Sequence, residues 1–412
     1  MFGGDWFVMV PLLVLLPRLT GSGAWGGMVL AVDTGIQALL LPYAGTVADR
    51  LDRRRIMLTA TSAGALAALA LLFVRSAGTA WLALVSVAAI AVAKAFYTPA
   101  ASAALPNLVG PEDLAAANVI GSAAWGTMAV VAASLGGLLA AVAGPYVCFG
   151  VTAVCLVAAT VLVWPIRRPM RAAGAPSAAG TVTAIREALR YIAARPRVAS
   201  LVTVKSAVGV GNGVLATFPV LAASVFSVGA AGTGALFGAR GLGALIGPML
   251  LRRVLLRRSW LLPGIAVSMA AYGVAYLAVA GSPWFWLVVV FVVLAHVAGG
   301  GNWALSSYAL QVEVPDGLRG RVFATDIMIT TVAISVSQLV VGVLVDRVSS
   351  RLLIACCGGV TLTYAVLWRL LTRRIMRRGA AMPAADPVVG EPPAADPVVG
   401  GPPAADPVVP GA

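Results

Sequence analysis

The sequence predicts an all-α integral membrane protein of twelve transmembrane helices, arranged as two six-helix pseudo-repeats with a disordered C-terminal tail. Three observations carry that expectation. Of 412 residues, 60% are hydrophobic and only 11% are charged, where soluble domains run at about 25% charged. So few charges cannot cover a surface that faces water. Apolar runs of about 20 residues, the length a helix needs to cross a bilayer, recur from the N-terminus to position 372. The arginines cap those runs on one side far more often than on the other, the positive-inside pattern.

Taken in order, the first six candidate spans cover roughly 2–18, 23–48, 56–75, 80–103, 117–141 and 145–165. The second six cover roughly 198–223, 230–251, 260–281, 283–308, 322–346 and 351–372. Gly136-Gly137 and Gly299-Gly300-Gly301 are the densest small-residue clusters, of the kind that lets helices approach closely in lipid. The first span is short at its cytoplasmic end, as if residues preceded Met1, and it lacks the basic flank of a signal peptide. The expected units are an N-terminal bundle at 1–166, a middle loop at 167–197, a C-terminal bundle at 198–378 and a tail at 379–412. The loop's first half is Ala/Gly/Pro/Ser-rich and reads as linker. Its second half places Ile185, Leu189 and Ile192 at helical spacing with arginines opposite, a short interfacial helix. In the tail, Pro-Ala-Ala-Asp-Pro-Val-Val recurs from Pro383, Pro393 and Pro403. Prolines break every repeat, so no helix or strand can run through it.

Charge sets the orientation. The chain has 29 Lys and Arg. Of these, 22 arginines lie in the connections on the side of both termini, four (Arg18, Arg75, Arg347 and Arg351) lie on the other, and Lys94, Lys205 and Arg240 fall within spans. Both termini are therefore expected in the cytoplasm, and the protein in the plasma membrane. The net charge of +14 belongs to this pattern and not to nucleic-acid binding, because the arginines flank apolar runs and are not interleaved with stacking aromatics. The four cysteines lie inside apolar runs and there is one histidine, so neither disulfides nor a metal site is expected. No phosphate-binding loop and no nucleophile–base pair is present. We expect no cofactor, no metal and no enzyme activity, and a chain that works as a monomer.

The halves repeat. Gly45 and Arg50 match Gly247 and Arg252, and Pro111 to Leu114 match Pro315 to Leu318, each pair in equivalent loops. Two six-helix repeats with a path between them is a transporter plan. The turn after the second span, Gly45-Thr-Val-Ala-Asp49-Arg50-Leu-Asp-Arg53-Arg54, resembles signature A of the major facilitator superfamily. Val314-Pro315-Asp-Gly-Leu-Arg319-Gly320-Arg321-Val322 is similar to the loop before the eleventh helix of bacterial exporters such as the enterobactin exporter and macrolide-efflux proteins. Leu108-Val-Gly-Pro111-Glu-Asp-Leu114 followed by Asn118 resembles the same group's loop after the fourth helix. The resemblance spans roughly 3–375 and implies alternating access by two rocking halves. It places the cytoplasmic latch on Gly45, Asp49, Arg50, Arg53 and Arg54, facing Arg319, Arg321 and Asp326 near the start of the eleventh span. A carboxylate near a helix N-terminus gains about 0.3–1 kcal/mol, enough to bias a two-state equilibrium and still break each cycle. Of the antiporter signature expected in the fifth span, only Gly136-Gly137 survives.

Ionisable residues at bilayer depth are functional candidates. Asp33 lies mid-span with Thr34 and Gln37 beside it. It is either a proton-coupling acid or the partner of Lys94 or Arg240. Asp5 sits near the cytoplasmic end of the first span. Lys94, Lys205, Asn212, Arg240 and Asn302 complete the expected substrate and proton pathway, and the cations favour a substrate with anionic or acceptor groups. His296, Trp303 and Gln338 could add hydrogen bonds or stacking. The expected function is export of an amphipathic small molecule (drug, siderophore or secondary metabolite) by proton antiport. Uptake of a small nutrient, or a non-transporting sensor or scaffold acting through the tail, are the alternatives.

Overall fold

The computed structural model describes residues 2–110, 113–167, 181–250 and 258–380, and nearly all of them are helical. The linker at 168–180 and the repeats at 381–412 lie outside the described residues. The first six helices are α1 (Phe2–Thr20), α2 (Ala24–Arg50), α3 (Arg53–Ala70), α4 (Ala80–Leu108), α5 (Leu114–Ala143) and α6 (Pro145–Val163). The middle loop contributes α7 (Thr181–Ala193). Then follow α8 (Pro196–Gly211), which continues through tighter and wider turns to Val225, α9 (Gly229–Leu250), α10 (Arg258–Gly281), α11 (Phe285–Glu313), α12 (Asp316–Leu344) and α13 (Ser350–Ala380).

Among the described residues, ten helical stretches are long and apolar enough to cross a membrane. They correspond to ten of the twelve expected spans. The first is represented by a shorter apolar stretch, Trp6–Thr20, and the eighth by α9, whose glycines and Arg240 dilute its apolar character.

Local chemistry explains the tight turns. Asp52 caps α3 by accepting from the amides of Arg54 at 2.9 Å and Arg55 at 3.4 Å, which satisfies donors that the first helical turn leaves free. Gly144 adopts φ 87°, a conformation that glycine tolerates, and Pro145 then opens α6 at a position where its missing N–H costs nothing.

The core decides the architecture. One apolar cluster draws on both sets of six helices at the end that carries the α1–α2 turn. It joins Leu12, Leu16, Leu71 and Phe149 to Phe218, Phe237, Tyr276, Val345 and Ile354. At the α2–α3 end the interior divides. Ala48, Ile56, Met57, Ala104 and Val163 form one cluster within the first six helices. Val198, Leu201, Leu261, Leu305, Val322 and Trp368 form another within the last six. Ile192 of α7 belongs to the latter cluster, and Ala188 is buried while Leu189 is exposed. The α7 helix thus docks on the second set of helices with part of the face expected to lie on the bilayer.

Candidate functional site

Among the described residues two helix pairs dominate the contact between the halves, α2 against α12 and α5 against α9. Their contacts are backbone on backbone. A side chain at Gly27 would collide with the Cα of Gly342 and sit 2.8 Å from the carbonyl of Gln338. One at Gly137 would sit 2.7 Å from the carbonyl of Ala230 and against Gly234. Glycine is required here by close approach. Polar contacts line the same seam: Thr34 donates to Oε1 of Gln338 at 3.0 Å, and Ser335 to the carbonyl of Ala31 at 2.8 Å. At its tip, Asp346 at the end of α12 caps α2. Its carboxylate accepts from the amides of Gly23 at 2.7 Å and Ala24 at 3.4 Å, and from the Ser22 hydroxyl. Gly23, the N-cap residue, has no side chain of its own to do this.

Deeper in, each half holds a buried ion pair. Lys94 of α4 bonds Asp33 of α2 at 2.7 Å, and Gln37 donates to the same carboxylate at 3.1 Å. Asp33 lies nine residues into α2, about 14 Å along the axis. In the second half, Lys205 of α8 pairs with Asp326 of α12, and both are fully buried. The Lys205 ammonium also stands 5.0 Å from the Trp303 ring centre. Buried pairs at such depth are costly to break, about 3–5 kcal/mol when one partner is removed.

Arg240 of α9 differs. Among the described residues no carboxylate pairs with it, and its Nε is buried without a hydrogen-bond partner. The guanidinium stands 5.7 Å from the Trp6 ring centre. Nearby, the Tyr276 hydroxyl and His296 Nε2 hydrogen-bond at 2.8 Å, and the Tyr272 hydroxyl is buried without a partner.

The expected latch residues separate on inspection. Gly45 lies on α2 with open space around it. The side chains of Asp49 and Arg50, like that of Asp5, lie outside the described residues. Arg53 is buried and staples the turn: it donates to the carbonyls of Ala48 and Ala103, at 3.3 and 2.7 Å, and to Asn107 at 2.8 Å. Arg54 bonds the Trp164 carbonyl. Arg319 reaches the Val314 carbonyl at 3.5 Å. Asp326, expected beside Arg321, faces Lys205 instead, and Arg321 pairs with Glu187 of α7. Asn212 bonds within its own helix, to the Val208 carbonyl at 2.9 Å. Asn302 bridges α11 to α10, 3.4 Å from Ser268 and from the Ile265 carbonyl. Both asparagines act as helix contacts in this state.

Ten membrane-length helical stretches among the described residues, a seam of α2–α12 and α5–α9 contacts and buried charge pairs on either side describe a transporter interior. Over residues 4–392 the chain matches the family of transmembrane secretion effectors within the major facilitators. It belongs to that family. It is a membrane transporter of multiple spans and not an enzyme. No curated protein matches its sequence. Among solved structures it is similar to a bacterial homolog of the human lysosomal transporter Spinster, in an inward-facing and unoccupied conformation, with TM-score 0.70 and 16% identity over 93% of this chain and 96% of that one. The nucleoside transporter NupG aligns with TM-score 0.69 and 15% identity over 90% and 96%. The human organic anion transporter MFSD10 aligns with TM-score 0.59 and 18% identity over 89% and 97%. At these identities the likeness concerns the fold.

Asp346, Glu187 and Tyr276 were not singled out from sequence, whereas His296 was named as a possible hydrogen-bonding residue and bonds Tyr276. Asp346 carried a readable signal, an acid at the end of a span opposite a helix N-terminus without a capping side chain. Glu187 was hidden in a charge-rich helix, and nothing in the sequence pointed to Tyr276 as the partner of His296.

Proposed function

We propose that this transporter resides in the plasma membrane with both termini in the cytoplasm, and exports an amphipathic small molecule by alternating access coupled to proton antiport. The observation that carries this reading is the unequal core. With the α2–α3 end in the cytoplasm, the joined cluster closes the outer end. The two separate clusters then leave the halves free to part on the cytoplasmic side, where an exporter takes up its load. The resemblance of the α4–α5 and α11–α12 loops to enterobactin and macrolide exporters supports the direction. Asp33 is our candidate coupling acid. Protonating it would leave Lys94 as an uncompensated cation at bilayer depth, so proton arrival and a rearrangement of the α2–α4 contact are linked. Asp49 remains our candidate for the cytoplasmic latch.

The substrate would be found by comparing drug susceptibility and secreted metabolites of deletion and complemented strains. In proteoliposomes, acid on the outer side should then drive that compound out of the cytoplasm-facing side. Asp33→Asn should abolish uphill transport and spare substrate binding. Unchanged uphill transport in that variant would remove Asp33 from coupling, and no efflux under the acid-outside gradient would overturn proton-driven export.

A further inference from the structure

We propose that Arg240 is an anion-binding subsite of the central path, and that the transported molecule bears a carboxylate or similar single anionic group on an aromatic or apolar body. This rests on the transporter reading above and names its substrate class. Three cations lie within the spans. Lys94 and Lys205 each have a carboxylate partner inside the protein. Arg240 has none among the described residues, and its Nε is buried without a partner. Charges at this depth are nearly always paired.

Among the described residues, the groups around the guanidinium include Trp6 from α1, Tyr272 and Tyr276 from α10 and His296 from α11. None of these is an anion at neutral pH. Among the described residues the counter-charge is therefore missing, while the side chain remains partly accessible. A guanidinium offers a planar fork that matches a carboxylate with two parallel hydrogen bonds. The buried Tyr272 hydroxyl, next to Tyr276, is a further donor in the same cluster. Trp6, itself 5.6 Å from the Phe237 ring, supplies the apolar wall for the rest of the molecule. Arg240 also stands on α9, one of the helices that cross between the halves, so a bound anion would touch an element that moves.

The test uses the full chain in nanodiscs and follows its thermal unfolding midpoint against naphthoate, its methyl ester and naphthylmethylamine. Naphthoate should stabilise the protein, with the ester and amine binding about 10- to 100-fold more weakly. Arg240→Gln should lose the preference for the acid. Arg240→Lys, which keeps the charge but not the fork, should keep part of it. Without ligand, Arg240→Gln should unfold no earlier than the wild type, because it removes an uncompensated charge. Equal binding of acid and ester, an acid preference that survives in Arg240→Gln, equal stabilisation by inorganic phosphate, or an unfolded Arg240→Gln would each overturn the subsite. The proteoliposome efflux assay stands apart from these results, so the subsite can fail while transport of amphiphiles holds.

Discussion

The two ends of the bundle are held by different chemistry. At the α1–α2 end the halves share one apolar core, and their backbones touch at Gly27–Gly342 and Gly137–Gly234. A single carboxylate, Asp346, closes the seam by capping α2. At the α2–α3 end each half keeps its own core. There the polar contacts include a staple within the first half, Arg53, and a half-exposed pair between α7 and α12, Glu187–Arg321. The difference teaches how a rocking transporter can be both tight and releasable. Glycine contacts seal by shape, while the cap contributes only about 0.5–2 kcal/mol, little enough to be lost once per cycle. The antiparallel run of α2 and α12 extends the point. Asp346, just after α12, meets the start of α2, and in our proposal Asp49, near the end of α2, does the same for the start of α12.

The comparison can be broken most forcefully at the glycine seam. Gly27→Leu puts a side chain onto the backbone of Gly342, which cannot yield as a flexible side chain would. The outer end should fail to close, active transport should be lost, and cysteines placed on the outer halves of α2 and α12 should stay open to an impermeant thiol reagent. The next largest effect belongs to Asp346→Asn. Weakening the cap should move the population away from outer closure by about 2- to 30-fold, read as faster labelling at the outer end. Asp49→Asn should shift the same equilibrium in the opposite direction, by about 0.3–1 kcal/mol, with slower labelling outside and faster labelling inside. The smallest effect is expected for Glu187→Gln. An exposed pair contributes about 0–1 kcal/mol, so transport should change less than fivefold and fall within that range at high salt.

Much of this was legible in the sequence because lipid imposes simple rules. Span length and arginine placement located the helices, and the Gly45–Arg54 turn pointed to the superfamily. The intramembrane charges stood out for the same reason, and Asp33 proved to pair with Lys94, one of two partners named for it. Pairing across sequence was harder to read. Asp326 lies only five residues from Arg321, which suggested a local partnership, yet the helix turns the acid inward to Lys205, 121 residues away. Arg53 was expected in the latch facing the eleventh span and is instead buried within its own half against three backbone and side-chain oxygens. The acid at the end of the eleventh span was readable, but that it caps α2 depends on how two distant helix ends meet. The eighth expected span coincides with a helix, α9, but nothing in its glycine-rich run showed that, among the described residues, Arg240 alone of the three cations would lack a carboxylate.

The central claim, that the two ends open and close in opposition, is tested most directly by paired spin-label distances in nanodiscs. One pair would join Arg75 to Pro283 at the outer end and the other Arg55 to Ala194 at the inner end, all exposed positions. Cys148, Cys155, Cys356 and Cys357 would be replaced beforehand. The account predicts that Asp346→Asn lengthens the outer distance and shortens the inner one, and that Asp49→Asn does the reverse. Distances that stay fixed in both variants, or that lengthen together, would contradict it.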